Sequence, residues 1–237
     1  MKHLEIILVI LSLTFFTLSS AAFGADLKEV VAALEKGYNS LSDVQADFTQ
    51  RTVITSMKRE EHGRGALYIK RGSSNTTKFR FDYKKPRQLI ISDGRRAWYY
   101  LPDNNQVMVS DLAALFAGGN GIALNYLTGM GHISRDFSIS FAGDGRDKKG
   151  NYLLELTPKE PSQAIAKLRL TIDASVVEQY LGKGETAPIF PVLSSVVDDH
   201  FGNRTFIDIS HVRVNAGIAD SLFRFKIPKG VEVIKSR

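Results

Sequence analysis

The 237-residue chain is 43% hydrophobic and 24% charged, sets 31 Lys and Arg against 25 Asp and Glu for a net charge of +6, and contains no cysteine. That hydrophobic share calls for a packed core and excludes a disordered polymer; the missing thiol excludes disulfide frameworks, thiol catalysis, thiolate zinc sites and Fe–S clusters. The charge favours anionic partners without specifying one, and the length fits a single domain.

Lys2 and His3 precede an apolar run from Ile6 to Leu18, and Ser19, Ser20, Ala21 and Ala22 follow it. The run is too short for a bilayer span, which needs about 20 residues, so it reads as a secretory signal. Small residues at Ala22 and Gly24 set the expected cut before Ala25. Residues 1–24 are then a cleavable signal peptide and 25–237 one domain working outside the cytoplasmic membrane. A lipid-anchored bacterial protein would need a cysteine at that cut.

After Asp26, the residues Leu27, Val30, Val31, Leu34, Tyr38 and Leu41 keep the spacing of one helical face, with Asp26 and Glu29 forming a capping box and Gly37 or Asn39 as the stop. From Val44 the period becomes two. Ala46 and Phe48, Leu67 and Ile69, and Phe79, Phe81 and Tyr83 predict strands. Asp93-Gly94 predicts a tight hairpin turn between strands 89–92 and 97–100, and Pro102 to Asn105 the next turn, before a strand through Val107 and Val109. Leu112, Leu115 and Phe116, then Ile122, Leu124, Tyr126 and Leu127 beyond the glycines of 118–121, predict two short helices. Alternation resumes at Phe137, Ile139 and Phe141; at Tyr152, Leu154 and Leu156; at Leu168, Leu170 and Ile172; at Thr205, Ile207 and Ile209; and at Phe223, Phe225 and Ile227. The expectation is a mainly β protein with about ten strands in one sheet and few helices. Whether its apolar face closes as a filled core or curls around a space, the alternation leaves open; the glycine-bounded segment 112–127 has the composition of a lid.

No nucleophile elbow, zinc-protease helix, phosphate loop or dinucleotide fingerprint occurs. Asp198, Asp199 and His200 precede Gly202-Asn203 and read as a solvated turn rather than metal ligands. The segment 143–150 lacks the alternating carboxylates of a calcium loop. Basic residues such as Lys84, Lys85, Arg87, Arg95 and Arg96 stand at strand ends, without the concentration and stacking aromatics of a nucleic-acid reader. No catalytic residue, metal or cofactor is expected.

The order of short motifs resembles the periplasmic outer-membrane lipoprotein carrier family, the LolA type. Phe48-Thr49-Gln50 matches the family's F-x-Q, and Gly65 through Arg71 its G-x-L-x-x-x-R strand. Phe79-Arg80-Phe81, Pro86, Ser92-Asp93-Gly94 and Trp98-Tyr99-Tyr100 match its central stretch. Asp199 to Asn203 matches the D-x-x-G-N turn, and Asp220 to Phe225 with Pro228 to Val231 the terminal D-x-x-F-x-F and P-x-G-V signature. The resemblance implies an incomplete antiparallel β-barrel with an N-terminal helix and lid helices over an apolar cavity. It also implies a monomeric periplasmic carrier that accepts triacylated lipoproteins from an inner-membrane ABC transporter and delivers them to the outer membrane, through a receptor lipoprotein of the same fold where one exists. The absent cysteine favours the carrier over the lipidated receptor.

By this resemblance Arg71 is the latch that holds the lid closed, and Leu112, Leu115, Phe116, Leu124 and Leu127 belong to the lid helices. Phe48, Leu67, Ile69, Phe81, Ile91, Trp98, Leu154, Leu168 and Phe223 are the expected lining for the acyl chains, and Phe79 is the residue expected to meet the transporter. Two stretches, 72–78 and 174–191, depart from the family pattern as insertions. The competing readings are a carrier of another envelope lipid, an envelope-stress sensor of the same fold, a secreted hydrolase with an unrecognised site, and a structural envelope protein with a solid core.

Overall fold

A computed structural model describes residues 24–72, 76–112, 133–162, 164–186 and 188–235. Helix α1 (Leu27–Asn39) starts on the expected capping box: the Asp26 carboxylate accepts from Glu29 N, and Glu29 Oε2 accepts from Asp26 N at 2.8 Å. Gly37 lies inside the helix instead of ending it. A Cβ there would stand 3.4 Å from both Pro191 and Val176, so the position serves close packing.

The strands are β1 (Asp43–Ile54), β2 (Arg59–Arg71), β3 (Thr77–Lys85), β4 (Gln88–Ser92), β5 (Arg96–Leu101), β6 (Gln106–Asp111), β7 (Phe137–Arg146), β8 (Tyr152–Pro158), β9 (Lys167–Ile172), β10 (Val192–Asp198), β11 (Arg204–Val214) and β12 (Glu232–Lys235). They form one sheet in the order β12-β6-β5-β4-β3-β2-β1-β11-β10-β9-β8-β7. All pairs are antiparallel except β12 with β6. β1 joins the two runs β1–β6 and β7–β11 through a ladder from Val44–Val214 to Val53–Arg204. The terminal strands β7 and β12 are not paired with each other, so the curved sheet stays open.

Twelve strands replace the expected ten or so, because β10 and β12 were not foreseen. The hairpin at Asp93-Gly94 is a three-residue connection, with Gly94 at φ +91° and the Asp93 carboxylate accepting from Arg95 N and Arg96 N. The expected strand through Phe223, Phe225 and Ile227 is a correction. Asp220–Phe223 is a short 3-10 turn, and an unpaired strap follows it to β12. A chain lying across a sheet face alternates its side chains as a strand does, which is why the sequence pattern misleads.

The second departure from the family pattern contains a helix, α3 (Ala174–Lys183), capped by Asp173 and closed by Gly184 at φ +68°. It packs against α1, and its Val176 and Val177 are fully buried. A four-residue helix, α2 (Ile133–Asp136), precedes β7.

Candidate functional site: the inner face and its helical cover

Strand pairing assigns each side chain to a face, because residues directly opposite one another share it and neighbours along a strand do not. Ala46, Leu67, Phe81 and Ile90 form one cross-sheet row, and Val44, Ile69, Phe79 and Ser92 the next. On the other side of β1 the same face continues through Ser195, Leu170 and Leu154 and through Val197, Leu168 and Leu156. This inner face forms one buried cluster with Val30, Ala33, Leu34 and Tyr38 of α1 and with Val177 of α3. Edge-on aromatic contacts knit it together: Phe48 to Tyr83 at 4.8 Å and Tyr38 to Phe190 at 5.6 Å between ring centroids.

Phe48, Leu67, Ile69, Phe81, Leu154 and Leu168 are therefore brought together as expected for a shared apolar surface. Leu154 and Leu168 expose nothing, so no water-sized space borders them, and the surface at β8–β9 is filled by packing.

The other three residues of the expected lining are corrections. Ile91 pairs with Arg80 and Trp98, on the face opposite to Phe81. Ile91, Trp98 and Val107 form a separate outer cluster, covered by Phe225, Ile227 and Val231 of the strap. Phe223 belongs to the turn at the start of that strap, whose Leu222 carbonyl accepts from Arg80 Nη1 on the outer face. Phe79 is corrected as well. It is fully buried with its ring 6.0 Å from that of Phe81, and a side chain with no exposed surface cannot dock a partner.

Arg71 stands at the rim. Its backbone N–H donates to Ser42 O at 2.9 Å and its guanidinium to Tyr38 O at 3.2 Å, which sets a cation at the negative end of α1. Leu112 is buried and its N–H donates to Arg95 O. Leu115, Phe116, Leu124 and Leu127 lie outside the described residues.

The strap is clipped by polar contacts that its sequence did not advertise. The buried Asp43 carboxylate accepts from Ala216 N and Gly217 N, and Lys70 Nζ donates to Ile218 O. Lys70 and Lys78 both reach Asp220, at 2.8 and 3.1 Å, and their hydrogen bonds hold its carboxyl below the ordinary carboxylate range.

The turn at Asp199 is structural, as the sequence suggested, and it occurs twice. In both Asp147–Asn151 and Asp199–Asn203 the aspartate accepts from the backbone N–H groups two and four residues on and from the Asn side chain, with glycine at positive φ before the Asn. The spacing D-x-x-G-N was legible at both sites. His200 Nε2 lies 2.7 Å from Ser162 O, and no cluster of three His, Asp or Glu able to hold a metal occurs among the described residues.

Comparison with known proteins accords with this architecture. The model of the family described as outer membrane lipoprotein carrier protein LolA matches residues 39–180. The outer-membrane lipoprotein carrier protein of Chromobacterium violaceum is 32% identical over 226 residues, covering 93% of this chain and 97% of that one. The protein of the same description from Nitrosospira multiformis is 29% identical over 236 residues, 99% of each chain. The crystal structure of a LolA superfamily protein from Nitrosomonas europaea is similar over 85% of this chain and 99% of its own, with 14% identity and a TM-score of 0.43. With a family model spanning more than half of its length and a 32% identical relative matching nearly all of it, this chain belongs to the outer membrane lipoprotein carrier family.

Proposed function

We propose that the protein is a soluble periplasmic carrier, exported by its N-terminal signal, that takes triacylated lipoproteins released by an inner-membrane ABC transporter and passes them to the outer membrane, through a receptor lipoprotein where one exists. The observation that carries the reading is the nature of the cover. The apolar inner face is closed by helices and not by a second sheet, so the cover can lift without breaking any ladder of the sheet. Acyl chains would then replace helix side chains against Phe48, Leu67, Ile69 and Phe81, while the packed end at Leu154 and Leu168 stays shut.

Energetics suit such an exchange. A chain of about 15 methylenes left in water costs about 12 kcal/mol, so aqueous diffusion is no route. Cargo bound much more tightly than a bilayer holds it would never be released. A cover competing for the same surface lowers the net affinity without requiring any single indispensable contact. Arg71, bonded to the last turn of α1, is the latch in this scheme.

The test is uptake from vesicles that contain the transporter and an acylated lipoprotein, supplied with ATP. A soluble carrier–lipoprotein complex is expected, and its absence would overturn the reading. Arg71→Leu should fold normally yet retain cargo and slow its delivery; normal release by that variant would remove Arg71 from the latch.

A further inference from the structure

Among the described residues the two most exposed large apolar side chains are Phe201 (80%) and Met57 (62%). Both sit at hairpin tips, Met57 in the 3-10 turn Thr55–Met57 between β1 and β2, and Phe201 in the turn between β10 and β11. The tips are far apart in sequence but fastened to each other. Thr55 N donates to Asn203 Oδ1 at 3.1 Å and Thr55 Oγ1 to Gly202 O at 2.6 Å. Phe201 N is tied in turn to the Asp199 carboxylate at 2.8 Å. Two apolar side chains are thus fixed at one end of the molecule, where neither stabilises the fold by burial.

Charge at this end has one sign. The tip segments 55–59 and 200–204 contain Lys58, Arg59 and Arg204 and no carboxylate. The acidic partners lie further back: Arg59 pairs with Glu61 and Arg204 with Asp198, while Lys58, at φ +49°, has no ion pair among the described residues.

We propose that the joined β1–β2 and β10–β11 tips form a membrane-touching surface that dips Met57 and Phe201 into the interface of an anionic bilayer. The shape is a pair of protruding turns rather than a groove, which suits a lipid interface better than a folded partner. Lys58, Arg59 and Arg204 stand within a few residues of the apolar tips, at the depth where phosphates lie once those tips reach the acyl boundary. Two side chains give a reversible contact, since even a whole myristoyl chain binds only marginally. The surface needs no cargo to act, so it goes beyond the carrier reading and stands or falls separately from it.

The experiment is sedimentation of the purified protein with vesicles of phosphatidylethanolamine and phosphatidylglycerol that hold no lipoprotein or transporter. Binding is expected, weaker on phosphatidylcholine vesicles and at high salt. Met57→Ser and Phe201→Ser should each lower the partition about tenfold, with thermal unfolding unchanged because both side chains are exposed. Lys58→Glu should weaken binding to the anionic vesicles alone. If the unaltered protein fails to sediment with lipid, sediments only when the vesicles carry membrane proteins, or binds as well after both serine substitutions, the proposal is overturned.

Discussion

The inner face at β8–β10 and the outer face at β4–β6 are both apolar, both buried, and covered in different ways. Leu154, Leu156, Leu168 and Ile172 join α1 and α3 in one large cluster. Ile91, Trp98 and Val107 make a small one beneath a single passing strap, held by Asp43, Lys70, Arg80 and Asp220. Apolar alternation therefore reports that a face is covered but not what covers it. The distinction bears on function, because helices can lift from a sheet as bodies while the strap is pinned at intervals by charge and backbone hydrogen bonds.

The strongest challenge to this contrast is a charge placed beneath the helices. Leu168→Asp should cost about 3–5 kcal/mol, an unpaired carboxylate having no partner there, and denaturant unfolding would measure it. A much smaller loss would mean that water already reaches this face. Next comes the outer cluster. Trp98→Ala should cost about 3 kcal/mol and speed amide exchange in residues 219–231 while leaving β8 and β9 protected. If β8 and β9 lost protection equally, the two faces would be one cooperative unit and the contrast would fail.

The smallest effect concerns Asp220. Its folded-state pKa lies below the unfolded value of about 3.9, so its contribution is present at neutral pH and is lost as pH falls through the folded-state value. Exchange in the strap should rise in acid, and Asp220→Asn should abolish that dependence. An unchanged acid response in the variant would assign the effect to other carboxylates.

How much could be read in advance depended on whether one face of an element was polar. In β9, Lys167, Arg169 and Thr171 oppose Leu168, Leu170 and Ile172, so face and burial follow from the letters alone. In β4 and β5, Leu89-Ile90-Ile91 and Trp98-Tyr99-Tyr100 are apolar or aromatic on both faces, and only the pairing register separates Ile90 from Ile91. That is why Ile91 and Trp98 were misassigned. The capping box of α1 was legible because a cap is local chemistry. Helix α3 was not, since ten residues with Gly182 and Gly184 at one end give a short pattern, and its helical state rests on packing against α1. The clips at Asp43 and Asp220 join residues far apart in the chain, and no local spacing announces them.

Strand β1 lies beside both β2 and β11, and the ladder to β11 joins positions such as Val44 and Val214 at opposite ends of the sequence. A polypeptide made from its N-terminus must therefore wait with one side of β1 unsatisfied until nearly everything else has been synthesised. During that interval the exposed edge is a template for unwanted pairing with other chains. Contacts of such long sequence separation also make assembly slow. The seam that completes the finished molecule thus makes its birth hazardous, and quality control should act hardest on nascent chains that have not yet reached β11.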